Sequence, residues 1–183
     1  MLEKNTTYKM LEFFFTYPTR EVHLRELSRE LKLSIPPILT AVKKLEKENL
    51  IQIERTKVIT KIKANVEDKQ FKRLKRVNNL ERLYTSGVAD FLWKEFDRPD
   101  AIVCFGSYSR GEDWENGDID IAIFRGIPIR SGDSLRITHK KEFEKLENAL
   151  KRRISIHTIQ QYGALATDFQ SNINNGIVLE GAL

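Results

Sequence analysis

The sequence predicts an α+β protein in two parts, an N-terminal part of three helices and a β-hairpin and a C-terminal part in which helices and strands alternate. Three stretches of apolar residues at helical spacing precede two extended runs within residues 51–66. Beyond residue 100, short apolar runs typical of buried strands alternate with amphipathic stretches. Residues 1–66 carry 13 basic and 8 acidic side chains, whereas residues 99–183 carry 10 and 12. This asymmetry predicts two modules with different partners.

The overall composition is that of a globular protein. Of the 183 residues, 40% are hydrophobic and 31% are charged. No apolar run approaches the roughly 20 residues of a membrane span, and the N-terminus lacks the pattern of a secretory signal. The single cysteine, Cys104, excludes an internal disulfide and a cysteine zinc site and suits a reducing compartment. We therefore expect a cytoplasmic protein whose net charge of +5 points only weakly to a polyanionic partner.

The N-terminal elements follow from periodicity and capping. The pattern predicts a helix over 5–16, a short extended piece at 21–23 and a second helix over 24–31. Ser34 is a good N-cap for a third helix, which tolerates two prolines in its first turn and ends near Asn49, a residue that accepts a left-handed backbone. The inward-facing stripe of this helix consists of Ile38, Val42 and Leu45.

The hairpin completes a known arrangement. Extended runs at 51–55 and 58–66 flank a charged turn, and in the second run Lys61, Lys63 and Asn65 are predicted to face away from the apolar side. Helix, short strand, two helices and hairpin resemble the winged helix-turn-helix domains of small prokaryotic transcription regulators. The specific part of the resemblance, which covers residues 5–66, is the run LTAVKKLEKENLI.

This resemblance implies binding to double-stranded DNA through the third helix and the wing. The candidate contacts are Thr40, Lys43, Lys44 and Lys47 on the exposed side of that helix, with Arg55 and Lys57 at the wing tip. No Arg, Asn or Gln lies early in the helix, so we expect affinity from phosphate contacts more than from base reading. Two alternatives stay open: a merely solvated helix face, and a winged helix that binds protein or a partner subunit. By analogy with such regulators, a homodimer is possible.

Residues 67–79 are predicted to form a basic helix or linker between a domain at 1–66 and a domain at 80–183. Its basic residues either extend the phosphate-binding track or form an ordinary solvated surface: Lys69, Lys72, Arg73, Lys75 and Arg76. The elements expected after it are a helix over 80–97, strands at 101–105, 118–124 and 154–159, helices at 138–152 and near 160–174, and an extended piece at 176–179. A loop at 126–132 is the region most expected to be disordered.

The segment CFGSYSRGEDWENGDIDIAIF, residues 104–124, carries the chemistry. Asp118 and Asp120 are two apart on a strand and therefore project from one face, as oxygen ligands suited to Mg²⁺. Gly106 allows the backbone to approach a phosphate, and the Ser107 hydroxyl can donate to its oxygens. Arg110 adds a cationic fork suited to a polyphosphate, with a surface salt bridge as the alternative. Together they form an anion cradle that faces a metal platform.

This segment resembles the nucleotidyltransferases of the DNA polymerase β superfamily, most closely the minimal nucleotidyltransferases. The matching positions are Gly106, Ser107, Arg110, Gly111, Asp118 and Asp120, with Ser109 at the small-residue position and Gly117 where serine is usual. The resemblance covers residues 80–183 and implies an α/β domain with a mixed sheet. It also implies that Gly106 and Ser107 hold the triphosphate of an NTP, for which ATP is the first choice, that Asp118 and Asp120 hold Mg²⁺, and that the enzyme transfers an NMP to a hydroxyl.

One departure from the family pattern bears on activity. Active members usually carry a third carboxylate on the following strand, where this chain has Ser155 and His157. His157 either takes a proton or is satisfied by its neighbours. The alternative function is therefore a transcription regulator whose transferase domain is inactive and serves as a nucleotide sensor or dimerisation body.

The remaining residues of the segment are expected to be structural. Tyr108 and Ser109 should pack against or cap the short helix, and Cys104 should be a buried, inert thiol. The acidic residues between Arg110 and Asp118 are predicted to form a solvated turn; they are Glu112, Asp113 and Glu115.

Overall fold

The computed structural model describes residues 5–55, 60–125, 137 and 139–182. The chain divides into two compact units, with the boundary between Asn78 and Asn79. Within the described ranges, no helix is long and apolar enough to cross a membrane.

The first unit has the predicted order of three helices and a hairpin. Its elements are α1 (Thr6–Thr16), α2 (Leu24–Leu31), α3 (Ile35–Lys47), β1 (Ile51–Arg55) and β2 (Thr60–Ala64). The predicted stripe of Ile38, Val42 and Leu45 is buried in one apolar cluster with the aromatic face of α1. Between α2 and α3 the chain turns through Lys32 at φ +53°, and Asn49 after α3 is left-handed as predicted, at φ +59°.

The hairpin is antiparallel, and one residue before α2 pairs with its second strand. Ile53 pairs with Ile62, and Val22 forms an isolated bridge to the same Ile62. The turn at 56–59, which includes Lys57, lies outside the described residues. Asn65, predicted to lie on the side away from the apolar stripe, is nevertheless buried: it is 7% exposed, its side-chain oxygen accepts from Gln52 Nε2 at 3.0 Å, and its side-chain amide donates to Asn49 O at 2.8 Å.

The segment at 67–79, predicted to be a helix or a linker, is helical and is continuous with the first part of the helix predicted over 80–97. Helix α4 (Lys69–Ser86) continues through residue 79 and ends where Gly87, at φ +79°, allows a change of direction into α5 (Val88–Glu95). Lys75 is 1% exposed, so the interpretation of this residue as part of an ordinary solvated surface is wrong, and burial also removes it from a phosphate-binding track.

The second unit is built on a four-stranded mixed sheet, as predicted. Its further elements are β3 (Ala101–Phe105), α6 (Gly106–Arg110), β4 (Ile119–Phe124), α7 (Lys140–Leu150), β5 (Ile154–Ile159), α8 (Thr167–Asn174) and β6 (Ile177–Gly181). The strand order is β5-β4-β3-β6, in which β3 is antiparallel to both neighbours and β4 is parallel to β5. The helix expected near 160–174 is divided into a short 3₁₀ turn and α8, and the loop at 126–132 lies outside the described residues.

The two faces of this sheet pack against different helices. Ile102 and Cys104 belong to a cluster that includes α5 residues, whereas Val103, Phe105 and Ala122 pack with residues of α8. Because side chains alternate along a strand, the polar residues in step with Ala122 on β4 lie on the α8 face of the sheet.

Candidate functional site

The Gly-Ser turn begins directly at the end of β3 and touches the first carboxylate of β4. Gly106 adopts φ +74°, and a Cβ built on it would lie 2.6 Å from Asp120 Oδ2. A larger residue there would strain the backbone and push the carboxylate away. The sequence therefore needs glycine at this position for the carboxylate as well as for any phosphate.

Asp118 immediately precedes β4, and Asp120 is the second residue of that strand. Asp120 is the register partner of Phe105 on β3 and of Ser155 on β5, so it is held between two strands. The side chains of Asp118 and Asp120 are 39% and 33% exposed, which leaves both carboxylates accessible to a ligand. The two residues alternate with the buried Ile119 and thus share one face, as predicted.

The strand β5 places Ser155 and His157 opposite these two aspartates. Ser155 Oγ donates to Asp118 Oδ2 at 3.1 Å, and His157 Nε2 lies 3.3 Å from Asp120 Oδ1. The His157 ring also contacts the ring of Phe105. The predicted third-carboxylate positions therefore face the site, and a hydroxyl and an imidazole stand there. These contacts fit a His157 side chain that is satisfied by its neighbours, and its role as a proton acceptor stays a prediction.

Arg110 makes a surface ion pair. Its Nε donates to Glu112 Oε2 at 2.8 Å, and the two side chains are 40% and 44% exposed. This is the arrangement that the alternative interpretation of Arg110 predicted. Its contact with a polyphosphate stays a prediction.

The predicted solvated turn is wrong for Asp113. This carboxylate accepts from Asn79 Nδ2 at 2.8 Å and from Arg152 Nη2 at 3.2 Å. The Arg152 and Asp113 side chains are only 2% and 1% exposed. The ion pair ties the loop before Asp118 to the start of β5, because Arg152 lies two residues before Ile154. No local pattern could have separated Asp113 from its exposed neighbour Glu112.

The other residues of the segment are structural, as predicted. Ser109 Oγ donates to Gly106 O at 2.9 Å, and Tyr108 is 1% exposed. Cys104 is fully buried, and burial, with the nearby charges of Asp120 and Asp113, raises the pKa of its thiol to about 12. A thiol in that state is a poor nucleophile, so the expectation of an inert Cys104 is confirmed.

The sequence interpretation missed Arg153. Its Nε lies 3.6 Å from Asp118 Oδ1, and its side chain is 84% exposed. The doublet Arg152-Arg153 at the start of a strand was a visible signal, but the two side chains separate: one is buried against Asp113 and the other extends beside the carboxylates.

The donor set fits Mg²⁺ with help from a substrate. Mg²⁺ is usually held by one or two carboxylates together with substrate phosphates and water, and Asp118 and Asp120 supply two accessible carboxylates on one face. In the part of the chain that the structure describes, no cluster of three or more His, Cys, Asp or Glu side chains could hold a metal ion.

The predicted DNA-binding side chains of α3 share an exposed surface. Thr40, Lys43, Lys44 and Lys47 are all exposed, and Leu39, which the sequence interpretation missed, is 39% exposed beside them. An exposed leucine on such a helix can contact a thymine methyl group.

The wing tip is only partly described. Arg55 donates from both terminal nitrogens to the Glu46 carboxylate at 2.9 Å, and this pairing lowers the pKa of Glu46. The Arg55 side chain is 61% exposed, and its DNA contact stays a prediction. Lys57 lies outside the described residues.

Comparison with protein families agrees with both resemblances. The model described as polymerase beta nucleotidyltransferase matches residues 88–180, half of the chain, and the chain belongs to this family. A winged helix-turn-helix DNA-binding model matches residues 21–52, which contain α2 and α3. The protein thus carries a DNA-binding helix-turn-helix and a nucleotidyltransferase domain. Comparisons with curated proteins and with solved structures gave no significant match.

Proposed function

We propose that the C-terminal unit binds an NTP, with ATP as the first choice, together with Mg²⁺ and transfers its NMP to a hydroxyl. The observation that carries this proposal is the contact between Gly106 and Asp120. It puts the backbone of the Gly-Ser turn against a carboxylate that faces the same side as Asp118. A phosphate on this turn would share its oxygens with a cation on the carboxylates.

In the transfer reaction, different residues of the chain would hold the cation and bind the triphosphate. Asp118 and Asp120 would hold Mg²⁺, which neutralises charge on the phosphate oxygens, and Ser107 would donate to the triphosphate. The acceptor oxygen bonds to the α-phosphorus while the bond from that phosphorus to the pyrophosphate oxygen breaks, and the hydroxyl proton passes to solvent. Ser155 and His157 orient the two aspartates through their hydrogen bonds.

We expect the full chain to bind at least one NTP in the presence of Mg²⁺ and to lose that binding in EDTA. Calorimetric titration with each of the four NTPs measures it, and α-³²P-labelled NTPs with fractions of a cell extract reveal the labelled acceptor. Absence of both binding and transfer with all four NTPs would refute the proposal.

A second function is supported by Ser155 and His157, because neither side chain is a carboxylate. With no third carboxylate beside the pair, the domain would bind nucleotide without turnover, and the protein would act as a nucleotide-responsive transcription regulator. In that case DNA affinity changes with NTP and Mg²⁺ while no label is transferred. Transfer of the label would rule this function out.

We propose further that the winged helix binds duplex DNA through phosphate contacts from α3. The three exposed lysines on one helix side support it, since lysine contacts phosphates without requiring a particular base.

Replacing Lys43, Lys44 and Lys47 with glutamine should weaken DNA binding and make it less dependent on salt. The slope of log affinity against log salt concentration should become shallower by about 2 to 3, because each lost phosphate contact contributes about 0.9. Fluorescence anisotropy of a labelled duplex at several salt concentrations measures this slope. The matched control replaces three exposed lysines of α7, Lys140, Lys141 and Lys145, and changes the net charge equally. An equal change of slope in both variants would contradict binding through α3.

A further inference from the structure

A polar cleft of about 590 Å³ opens beside Asp118. Its walls come from the loop at 115–118 and from residues 147–153, which join the end of α7 to β5. A cleft of this size can hold a small metabolite or a nucleotide-sized group. No sequence motif predicted this cleft, because the residues of its two walls are some 30 positions apart in the chain.

The carboxylate pair has different neighbours on its two sides. Gly106 contacts Asp120, whereas Asp118 lines the cleft. In phosphoryl transfer the attacking and leaving oxygens are roughly in line, so the acceptor approaches from the side opposite to the leaving pyrophosphate. If the triphosphate lies on the Gly-Ser turn, next to Asp120, an acceptor in the cleft would lie next to Asp118, the other carboxylate of the pair.

Arg153 gives this cleft a specific chemistry. It lines the cleft, is 84% exposed, and lies at the long distance of 3.6 Å from Asp118 Oδ1. By contrast, the guanidinium of Arg152 is occupied by the buried Asp113. An exposed guanidinium in a loose ion pair can turn to a new anion at little energetic cost, and its planar fork suits phosphate or carboxylate.

We propose that the cleft binds the acceptor of the transfer reaction, and that this acceptor carries an anionic group which Arg153 holds. The proposal rests on the proposed nucleotidyl transfer, since that reaction defines the acceptor. The anion anchors the molecule at Arg153, and its hydroxyl then lies beside Asp118. Neutral alcohols of the same size lack this anchor.

Titration of the ¹⁵N-labelled full chain with glycerol 3-phosphate, glycerate and glycerol tests the proposal by NMR. At constant ionic strength, at least one of the two anions should shift the amides of Gly117 and of residues 151–153, and glycerol should not. The anion that binds identifies the anchoring group as phosphate or carboxylate. Arg153→Gln should weaken this binding by about tenfold, the contribution typical of a charged hydrogen bond.

Arg98→Gln is the matched control, because Arg98 carries the same charge and is also exposed but lies before β3, outside the cleft lining. It should bind the anion as the wild type does. Three results would each overturn the proposal: neither anion binds, glycerol binds equally well, or the shifts are confined to Gly106 and Ser107. Binding of ATP with Mg²⁺ is measured on the same wild-type sample. If the chain binds the anion at Arg153 but does not bind ATP with Mg²⁺, the proposed NMP transfer is refuted. The cleft would then bind an anion that is not the acceptor of this transfer.

Discussion

Replacing both Asp118 and Asp120 with asparagine should abolish Mg²⁺-dependent nucleotide binding and reduce NMP transfer by at least about a thousandfold. Asparagine keeps the size of each side chain but removes the two negative charges that would hold the cation. Ser155 and His157 cannot replace them, because neither is a carboxylate. Binding of Mn²⁺ as a spectroscopic substitute, followed by electron paramagnetic resonance with ATP present, measures the loss independently of turnover.

The two aspartates are partly exposed, so the variant should fold. Their exposed fractions of 39% and 33% mean that no buried charge pair is broken. The control carries the same number of carboxylate-to-amide changes at exposed sites away from the pair, Asp90→Asn on α5 and Glu144→Gln on α7. Wild-type Mn²⁺ binding in the Asp118 and Asp120 variant would show that the cation site lies elsewhere.

Arg152→Met should lower the free energy of unfolding of the second unit by about 3–5 kcal/mol, because it removes the arginine charge that compensates the buried Asp113 carboxylate. Combining it with Asp113→Leu should restore most of that loss, since two apolar side chains of similar size replace a buried ion pair at little net cost. Urea unfolding followed by tryptophan fluorescence measures the effect on this unit, because both tryptophans, Trp93 and Trp114, lie in it.

The exposed pair of Arg110 and Glu112 provides the comparison. Its side chains are 40% and 44% exposed, against 2% and 1% for Arg152 and Asp113. Arg110→Gln should therefore change the free energy of unfolding by less than about 1 kcal/mol, as exposed ion pairs usually do. Equal effects of Arg152→Met and Arg110→Gln would contradict a structural role for the buried pair.

Much of the fold could be predicted from local patterns. Helix α2 and strands β1, β3 and β5 have the predicted bounds, because apolar periodicity and the flanking turn residues are encoded within a few positions of each other. The proximity of the Gly-Ser turn to the aspartates was predictable from the sequence for a related reason. Gly106 and Asp120 belong to one short segment, so their spacing along the chain already brings the turn next to the following strand.

Local patterns failed where a distant residue decides the environment. Lys75 lies on the basic side of a predicted solvated helix, yet it is buried. The bounds of the following helix were also missed, because the helix predicted over 80–97 is divided at Gly87, where a left-handed backbone separates α4 from α5. In each case the sequence pattern indicated the type of element but not its partners or its length.

The sequence by itself determined the two modules, the family and the pair of aspartates opposite a Gly-Ser turn, since all of these depend on residue types at short spacings. Only the tertiary structure decided that Ser155 and His157 hydrogen-bond to those aspartates, that Asp113 is buried against Arg152, and that Arg153 stands exposed in a cleft beside Asp118. The physical reason is that β5 lies more than 30 residues after β4 in the chain but next to it in the sheet. The charge and burial of a side chain depend on such neighbours, and they arise only when the strands pair.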